Sequence, residues 1–348
     1  MTTNQASAKP MTSKRATLQV AAALALSAYC LLHYAWLTES PPEQKWTDST
    51  SLRGRSLSIA IADLPPRCRI PREYRLSKQP TSPTYLASFH GGGGGKVVSS
   101  LAQALTGIAA TNQVNYARRR IDHSVLFETH YPLEGAIKVE GDDANFRGAI
   151  LLLRNPVDSI LSFFNAFYAR KYHYLIDFRA PAEEQFRASA EDWIRYRDSA
   201  QFADQLKAYE RFVIHWMNKY KKNRDDLLLV TYEGITGGRG AIFTKQIASY
   251  LDKSEGINVI DPDSIPCIWE KFVHDQWYPN SGHTSTATTS FQERADDRPL
   301  TQDQLFAVSR MLQSLDERFG RDDKQFSTIM NSYTNSLSDY SGSMIRMY

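Results

Sequence analysis

The chain has 348 residues, of which 42% are hydrophobic and 23% charged, so its length and composition fit one large globular domain with appendages. A net charge of +3 is too small to argue for nucleic-acid binding, and three cysteines exclude a small disulfide-stapled scaffold. The sequence has no CxxC, no HExxH and no His/Cys cluster with metal-ligand spacing, so we predict no metal site.

The N-terminal region contains an apolar run, residues 16–37, that has no charged side chain and is long enough to span a bilayer. Residues 1–15 before it contain no acid and three bases, Lys9, Lys14 and Arg15. The positive-inside rule therefore predicts a single-pass type II anchor with a cytosolic tail and the rest of the chain in the lumen of the Golgi or another secretory compartment. A cleaved signal peptide, giving a secreted protein, and an organellar transit peptide are the alternatives.

Composition divides the rest of the chain into three parts. Residues 38–80 are rich in proline and mixed charges and are predicted to form a stem, followed by a folded domain at 81–321. The end of the chain, 322–348, is rich in Ser, Asn and Tyr and is predicted to be a disordered tail. Cys68 in the stem and Cys267 in the domain would both face an oxidising lumen, so a disulfide between them is a further hypothesis.

A run of glycines separates the first predicted strand of the domain, at 85–89, from a predicted amphipathic helix that follows Lys96. Glycine allows φ > 0 and a close approach of the backbone to a ligand, and a helix N-terminus presents unpaired N–H groups to an anion. A phosphate or phosphosulfate loop is therefore favoured over a surface linker. The run comprises Gly91, Gly92, Gly93, Gly94 and Gly95.

The same loop does not match the Walker A pattern of P-loop kinases and ATPases. His90 stands where that pattern has its first glycine, and Val97 stands where it has the Ser or Thr that holds Mg²⁺. A P-loop kinase is thus the less favoured interpretation.

Further along the chain, apolar strands are predicted at 124–127, 149–153 and 227–231, with helices between and after them. Buried strands that alternate with helices indicate an α/β fold with a parallel central sheet flanked by helices on both faces. Ligands bind at the carboxyl ends of such strands, so the glycine loop, the segment ETHYP and the segment RNP are expected to converge. The helices are predicted at 157–170, 193–222, 240–251 and 301–319, the last with Thr301 as N-cap and Gly320 as its end.

Four segments, SFHGGGGGKVV, ETHYP, RNPVDSILSFFNAF and LLLVTYEGI, resemble the sulfotransferase superfamily in order and spacing. The resemblance covers about residues 84–252 and is closest to the WSC-domain-containing sulfotransferases, although no WSC domain is visible here. It implies a P-loop-like sulfotransferase fold and 3'-phosphoadenosine 5'-phosphosulfate as co-substrate. It also implies sulfuryl transfer to a hydroxyl of a glycan or protein acceptor, without a metal.

The resemblance also implies roles for individual residues. His130 matches the catalytic base, and Lys96 would stabilise charge on the leaving phosphate. Apart from the resemblance, Glu128 is the fallback base, because two residues away on a strand its side chain would share the face of His130. Arg154 and Ser162 match the pair that binds the 3'-phosphate. The remaining residues assigned to the nucleotide are the five glycines of the loop, Val97, Tyr232 and Arg294.

Two departures from the family pattern leave a third interpretation open. The loop consists of glycine alone where the family has Lys, Ser and Thr, and Glu128 stands where a lysine often precedes Thr-His. Both changes remove positive charge or donors from the sulfate position. A non-catalytic nucleotide-binding module is therefore the alternative to an active transferase.

Overall fold

A computed structural model of the chain describes residues 74–90, 94–113, 120–133, 136, 145–172, 188–274 and 300–342, all within one compact unit. The predicted span at 16–37, the stem cysteine Cys68 and Arg294 lie outside these residues. Within them, no helix is long and apolar enough to cross a membrane.

In the described part of the chain, five strands form the central sheet, and every pair of neighbouring strands is parallel. The order across the sheet is β2-β3-β1-β4-β5, which confirms the predicted α/β architecture. The strands are β1 (Thr84–Ser88), β2 (Thr111–Asn112), β3 (Leu126–Thr129), β4 (Gly148–Leu153) and β5 (Leu227–Thr231).

Nine α-helices, together with short 3-10 and π turns, connect and cover the strands in the described part of the chain. Their bounds are α1 (Gly94–Thr106), α2 (Pro156–Tyr172), α3 (Ala190–Arg197), α4 (Ala200–Lys219), α5 (Tyr232–Thr236), α6 (Gly240–Leu251), α7 (Ile265–Trp269), α8 (Gln302–Phe319) and α9 (Lys324–Gly342). The single helix predicted at 193–222 is thus two helices, because Ser199 caps α4 and the chain turns before it.

Alternation of side chains along the strands divides the core into two layers. Leu86, Ile150 and Leu152 face a layer that contains α1, α6 and α7. Tyr85 and Leu151 face the opposite layer, which contains α2, α3, α4, α8 and α9. Helices therefore cover both faces of the sheet, as predicted for strands that are apolar on both sides.

The last helix corrects the prediction of a disordered tail at 322–348. α9 spans Lys324–Gly342, and its apolar side chains Phe326, Met330, Tyr333 and Leu337 are buried in the second layer. These side chains recur every three or four residues, which is the spacing of one helix face. The many Ser, Asn and Thr residues between them lie on the other faces and concealed this period.

The capping signals were predicted correctly. The Thr301 side chain accepts from the Gln304 N–H at 3.2 Å, and the Gln304 side chain accepts from the Thr301 N–H at 2.8 Å. This reciprocal capping box satisfies two helix-terminal donors and starts α8 at Gln302. Gly320 ends the helix, as predicted.

Cys267, in α7, is disulfide-bonded. Its expected partner Cys68 lies outside the described residues, so the pairing of these two cysteines stays a prediction.

Candidate functional site

The candidate site lies where the connections of two adjacent strands diverge. β1 and β4 are neighbours, but the helix after β1 packs on one face of the sheet and the helix after β4 packs on the other. In open α/β sheets this divergence opens a crevice at the carboxyl ends of the strands. The glycine run follows β1 and Arg154 follows β4, so both predicted anion-binding elements border that crevice.

The first turn of α1 begins at Gly94, within the glycine run, rather than after Lys96 as predicted. Close packing explains the glycines there, and neither Gly94 nor Gly95 has a positive φ. A Cβ at Gly94 would overlap Leu152 and Tyr232, and a Cβ at Gly95 would overlap the Glu128 carboxylate. Gly91, Gly92 and Gly93 lie outside the described residues.

His130 follows β3, and its tautomer is set by a hydrogen bond to β1. Its Nδ1 lies 2.8 Å from the Ser88 carbonyl oxygen, and 3.4 Å from the hydroxyl of the same residue. A carbonyl oxygen can only accept, so Nδ1 carries the hydrogen and the lone pair of the neutral imidazole is on Nε2. This is the arrangement that a general base requires.

His90 adds a second imidazole that was not among the predicted site residues. Its ring centroid lies 6.2 Å from that of His130, and its Nε2 is 3.2 Å from the Gln205 side-chain oxygen. The ring also stacks on Phe163 at 4.3 Å. The signal in the sequence was its place between β1 and the glycines, where it was considered only as a departure from Walker A.

Glu128 brings a carboxylate to the start of α1. It lies against Gly95, two residues before His130. Burial raises the pKa of the Glu128 carboxyl above its ordinary value, and the charges of His130 and Lys96 oppose that rise. The protonated form of Glu128 therefore persists to higher pH than that of an exposed glutamate.

Arg154 follows β4, and its guanidinium lies over the ring of Tyr232. The guanidinium carbon lies 4.5 Å from the centre of the Tyr232 ring, and the Arg154 carbonyl accepts from the Tyr209 hydroxyl at 2.7 Å. The ring attracts the cation and fixes the plane of the guanidinium. Tyr232 thus supports Arg154 as well as packing against Gly94.

The remaining predicted residues lie around the crevice at different depths. Lys96 is exposed and Val97 half-buried in the first turn of α1, and Ser162 is half-buried on α2. Arg294 lies outside the described residues.

A buried polar cluster behind Arg154 was missed by the sequence analysis. The Glu233 carboxylate accepts from the Asn155 N–H at 2.9 Å and from the Tyr333 hydroxyl at 3.0 Å. Burial raises the pKa of the Glu233 carboxyl, and the Asn155 N–H is the largest of the contacts that lower it. Glu233 follows Tyr232 directly, and that adjacency was the only signal in the sequence.

Comparison with protein-family models, with curated proteins and with solved structures gives no match. Among the described residues, no group of three or more His, Cys, Asp or Glu side chains is placed to hold a metal ion.

Proposed function

We propose that this chain is a sulfotransferase, which transfers a sulfuryl group from 3'-phosphoadenosine 5'-phosphosulfate to a hydroxyl of a glycan or protein acceptor. The observation that carries the proposal is the position and tautomer of His130. Its Nδ1 donates to the Ser88 carbonyl, so its Nε2 can accept a proton beside the start of α1. The resemblance of the four sequence segments supplies the donor and the reaction class.

In the proposed reaction, His130 Nε2 removes the proton of the acceptor hydroxyl. The acceptor oxygen forms a bond to sulfur as the bond between sulfur and the bridging phosphate oxygen breaks. The negative charge then grows on the leaving 5'-phosphate. Lys96, which lies in the first turn of α1, and the N–H groups of that turn would offset this charge.

The described residues fit the donor at two places. The guanidinium of Arg154 on Tyr232 offers a planar cation for the 3'-phosphate beside an aromatic ring. The first turn of α1 offers N–H groups for the phosphosulfate. Ionised Glu128 would repel an anion there, so we propose that the donor binds when Glu128 is protonated, the form that burial favours.

Replacing Arg154 with alanine is expected to weaken binding of 3'-phosphoadenosine 5'-phosphate by about 1.5–3 kcal/mol, the range of a hydrogen bond to a charged group. Lysine at this position should recover little of the loss, because it lacks the planar fork. Isothermal titration measures both. Arg147→Ala is the matched control, because Arg147 pairs with Asp226 at the opposite end of β4. Unchanged affinity in a folded Arg154→Ala protein would contradict the assignment.

The position of Glu128 favours a second candidate, a module that binds the nucleotide without turnover, because a carboxylate at the sulfate position opposes the donor. The affinities for 3'-phosphoadenosine 5'-phosphate and for ATP with Mg²⁺, measured by titration, distinguish the transferase and the binding module from a P-loop kinase. Both the transferase and the binding module should prefer the 3'-phosphorylated nucleotide. Preference for ATP with Mg²⁺ would identify a kinase and overturn the proposal.

We propose a lumenal location for the domain, with the chain anchored in a secretory-pathway membrane as a type II protein. The disulfide at Cys267 supports an oxidising compartment, and the apolar run at 16–37 with its basic flank supports the anchor. Protease treatment of intact microsomes should leave the domain uncut and still attached to the run. A soluble product that begins after residue 37 would exclude the anchor.

A further inference from the structure

The C-terminal helix α9 extends from the edge strand of the sheet to the crevice. Near its start, the Gln325 side chain donates to the Leu229 carbonyl of β5 at 3.0 Å. Further along, Tyr333 contacts Glu233 and Ser336 contacts Asn155, the residue after Arg154. α9 therefore contacts two residues close to the candidate phosphate-binding arginine: Asn155, which follows it, and Glu233, which follows the tyrosine under it.

Asn155 is 1% exposed, and all four of its polar groups have described partners, its carbonyl accepting from the Ser159 N–H at 2.9 Å. Its N–H donates to Glu233, and its side-chain oxygen accepts from the Val157 N–H at 3.0 Å, which caps α2. Its side-chain nitrogen donates to Ser336 Oγ at 2.9 Å, and that hydroxyl donates to the Tyr333 carbonyl at 2.8 Å. Hydrogen bonds thus connect α9 to Asn155, the residue that follows Arg154.

The Glu233 carboxylate links the backbone that follows Arg154 to helix α9. One oxygen binds the N–H next to Arg154, and the other binds Tyr333 of α9. Glu233 also follows Tyr232, whose ring lies under the guanidinium. The Glu233 carboxylate therefore binds the backbone next to Arg154 and belongs to the residue that follows the supporting ring.

We propose that Tyr333 and Ser336 of α9 are positioning residues for Arg154, so that the C-terminal helix sets the affinity of the crevice for the 3'-phosphate of the nucleotide. This inference rests on the proposed function, because Arg154 is there assigned to that phosphate. A guanidinium binds a phosphate through two parallel hydrogen bonds only when its plane is fixed. The contacts of Asn155 hold the backbone that carries the Arg154 side chain. Glu233 is joined to Tyr232, whose ring lies under the guanidinium.

The test compares adenosine 3',5'-bisphosphate with adenosine 5'-phosphate, which lacks the 3'-phosphate, by isothermal titration of the full chain. Tyr333→Phe removes one hydrogen bond and keeps the ring, so the bisphosphate should bind about three- to tenfold more weakly. Binding of adenosine 5'-phosphate should change less than about twofold. Ser336→Ala should likewise weaken binding of the bisphosphate more than binding of adenosine 5'-phosphate. This variant provides the test if Tyr333→Phe does not fold.

The matched control is Tyr250→Phe. Tyr250 is also a buried tyrosine, and its hydroxyl donates to the Asp226 carbonyl at the amino end of β5, away from the crevice. It should lower thermal stability and leave the preference for the bisphosphate unchanged. In an Arg154→Ala background, Tyr333→Phe should have no further effect on bisphosphate affinity, because the residue that it positions is gone.

The outcomes distinguish this inference from the function on which it rests. A wild-type protein that does not prefer the bisphosphate over adenosine 5'-phosphate would overturn both. A wild-type preference that persists unchanged in Tyr333→Phe and Ser336→Ala would overturn the positioning role alone. Equal weakening of both nucleotides in these variants would also overturn it, since general loosening of the fold predicts that result.

Discussion

Replacement of His130 by alanine is expected to lower the rate of sulfuryl transfer by about 10²–10⁴-fold, the usual contribution of a positioned general base. Nucleotide affinity should change little, because in the proposed reaction Nε2 takes the proton of the acceptor, and Nδ1 is held by Ser88. The rate is measured as transfer of radiolabelled sulfuryl groups to desulfated glycans and to tyrosine-containing peptides. Affinity for 3'-phosphoadenosine 5'-phosphate is measured by isothermal titration.

His123 provides the control for this prediction. Its Nδ1 also donates to a backbone carbonyl, that of Ser77, at 2.6 Å, and its side chain is buried. It precedes β3 and so lies at the opposite end of that strand from His130. His123→Ala should therefore lower stability without the large loss of turnover.

Glu128→Gln tests the fallback base and the charge at the start of α1. Burial raises the pKa of Glu128, so this carboxyl ionises at a higher pH than an exposed glutamate, and ionisation places a negative charge at the start of α1, where the donor is proposed to bind. Donor affinity of the wild type should therefore fall as the pH rises through that raised pKa. Glutamine cannot ionise, so the variant should lack this fall and keep most of its turnover.

The two variants together decide between the functions. If Glu128→Gln abolishes transfer and His130→Ala does not, Glu128 is the base. If neither change matters and the wild type sulfates none of the acceptors, the non-catalytic module is the better description.

Four of the five strands could be predicted because they carry their signal locally, whereas β2, only two residues long, was not predicted. The run AILLL is apolar at every position and LLLVT at every position but the last, which is typical of strands buried on both faces, and the two runs form β4 and β5. The cap at Thr301 is local in the same sense, since both halves of the capping box lie within four residues. The convergence of the strand ends followed from the parallel order alone.

The packing at the site could not be predicted, because its contacts join residues that are distant in the chain. Asn155 and Glu233 are 78 residues apart, and Glu233 and Tyr333 are 100 apart. The glycines at 94 and 95 were expected to allow a positive φ and a close approach of the backbone to an anion, whereas the space that they leave is taken by Leu152, Tyr232 and Glu128 from other elements. Contacts of this kind become visible only when the elements have been placed in the folded structure.

The tail was predicted wrongly for a different reason, since its signal was local. Composition was given more weight than period, although four apolar side chains of α9 recur at helix spacing. A helix that buries such a stripe gains its stability from tertiary packing and tolerates polar residues elsewhere. Truncating a buried side chain of α9 should therefore lower the free energy of unfolding, which truncation in a disordered tail would not.

Phe326→Ala is expected to lower the free energy of unfolding by about 3–5 kcal/mol, the range for truncation of a buried phenylalanine. Phe326 is 0% exposed, and its ring packs edge-on against Phe319 of α8 at 5.8 Å. The truncation therefore leaves a cavity between the last two helices. Chemical denaturation followed by tryptophan fluorescence measures the loss, since Trp193 and Trp216 lie in the same core layer.

Phe306→Ala is the matched control on α8, because that phenylalanine is 63% exposed and its loss should change stability by less than about 0.5 kcal/mol. Equal stability of Phe326→Ala and wild type would mean that the segment behaves as a tail after all. It would also weaken the assignment of Tyr333 and Ser336, since their contacts with Glu233 and Asn155 depend on the same docked helix. A large loss for Phe326→Ala and none for Phe306→Ala would instead place α9 in the folded core that supports Arg154.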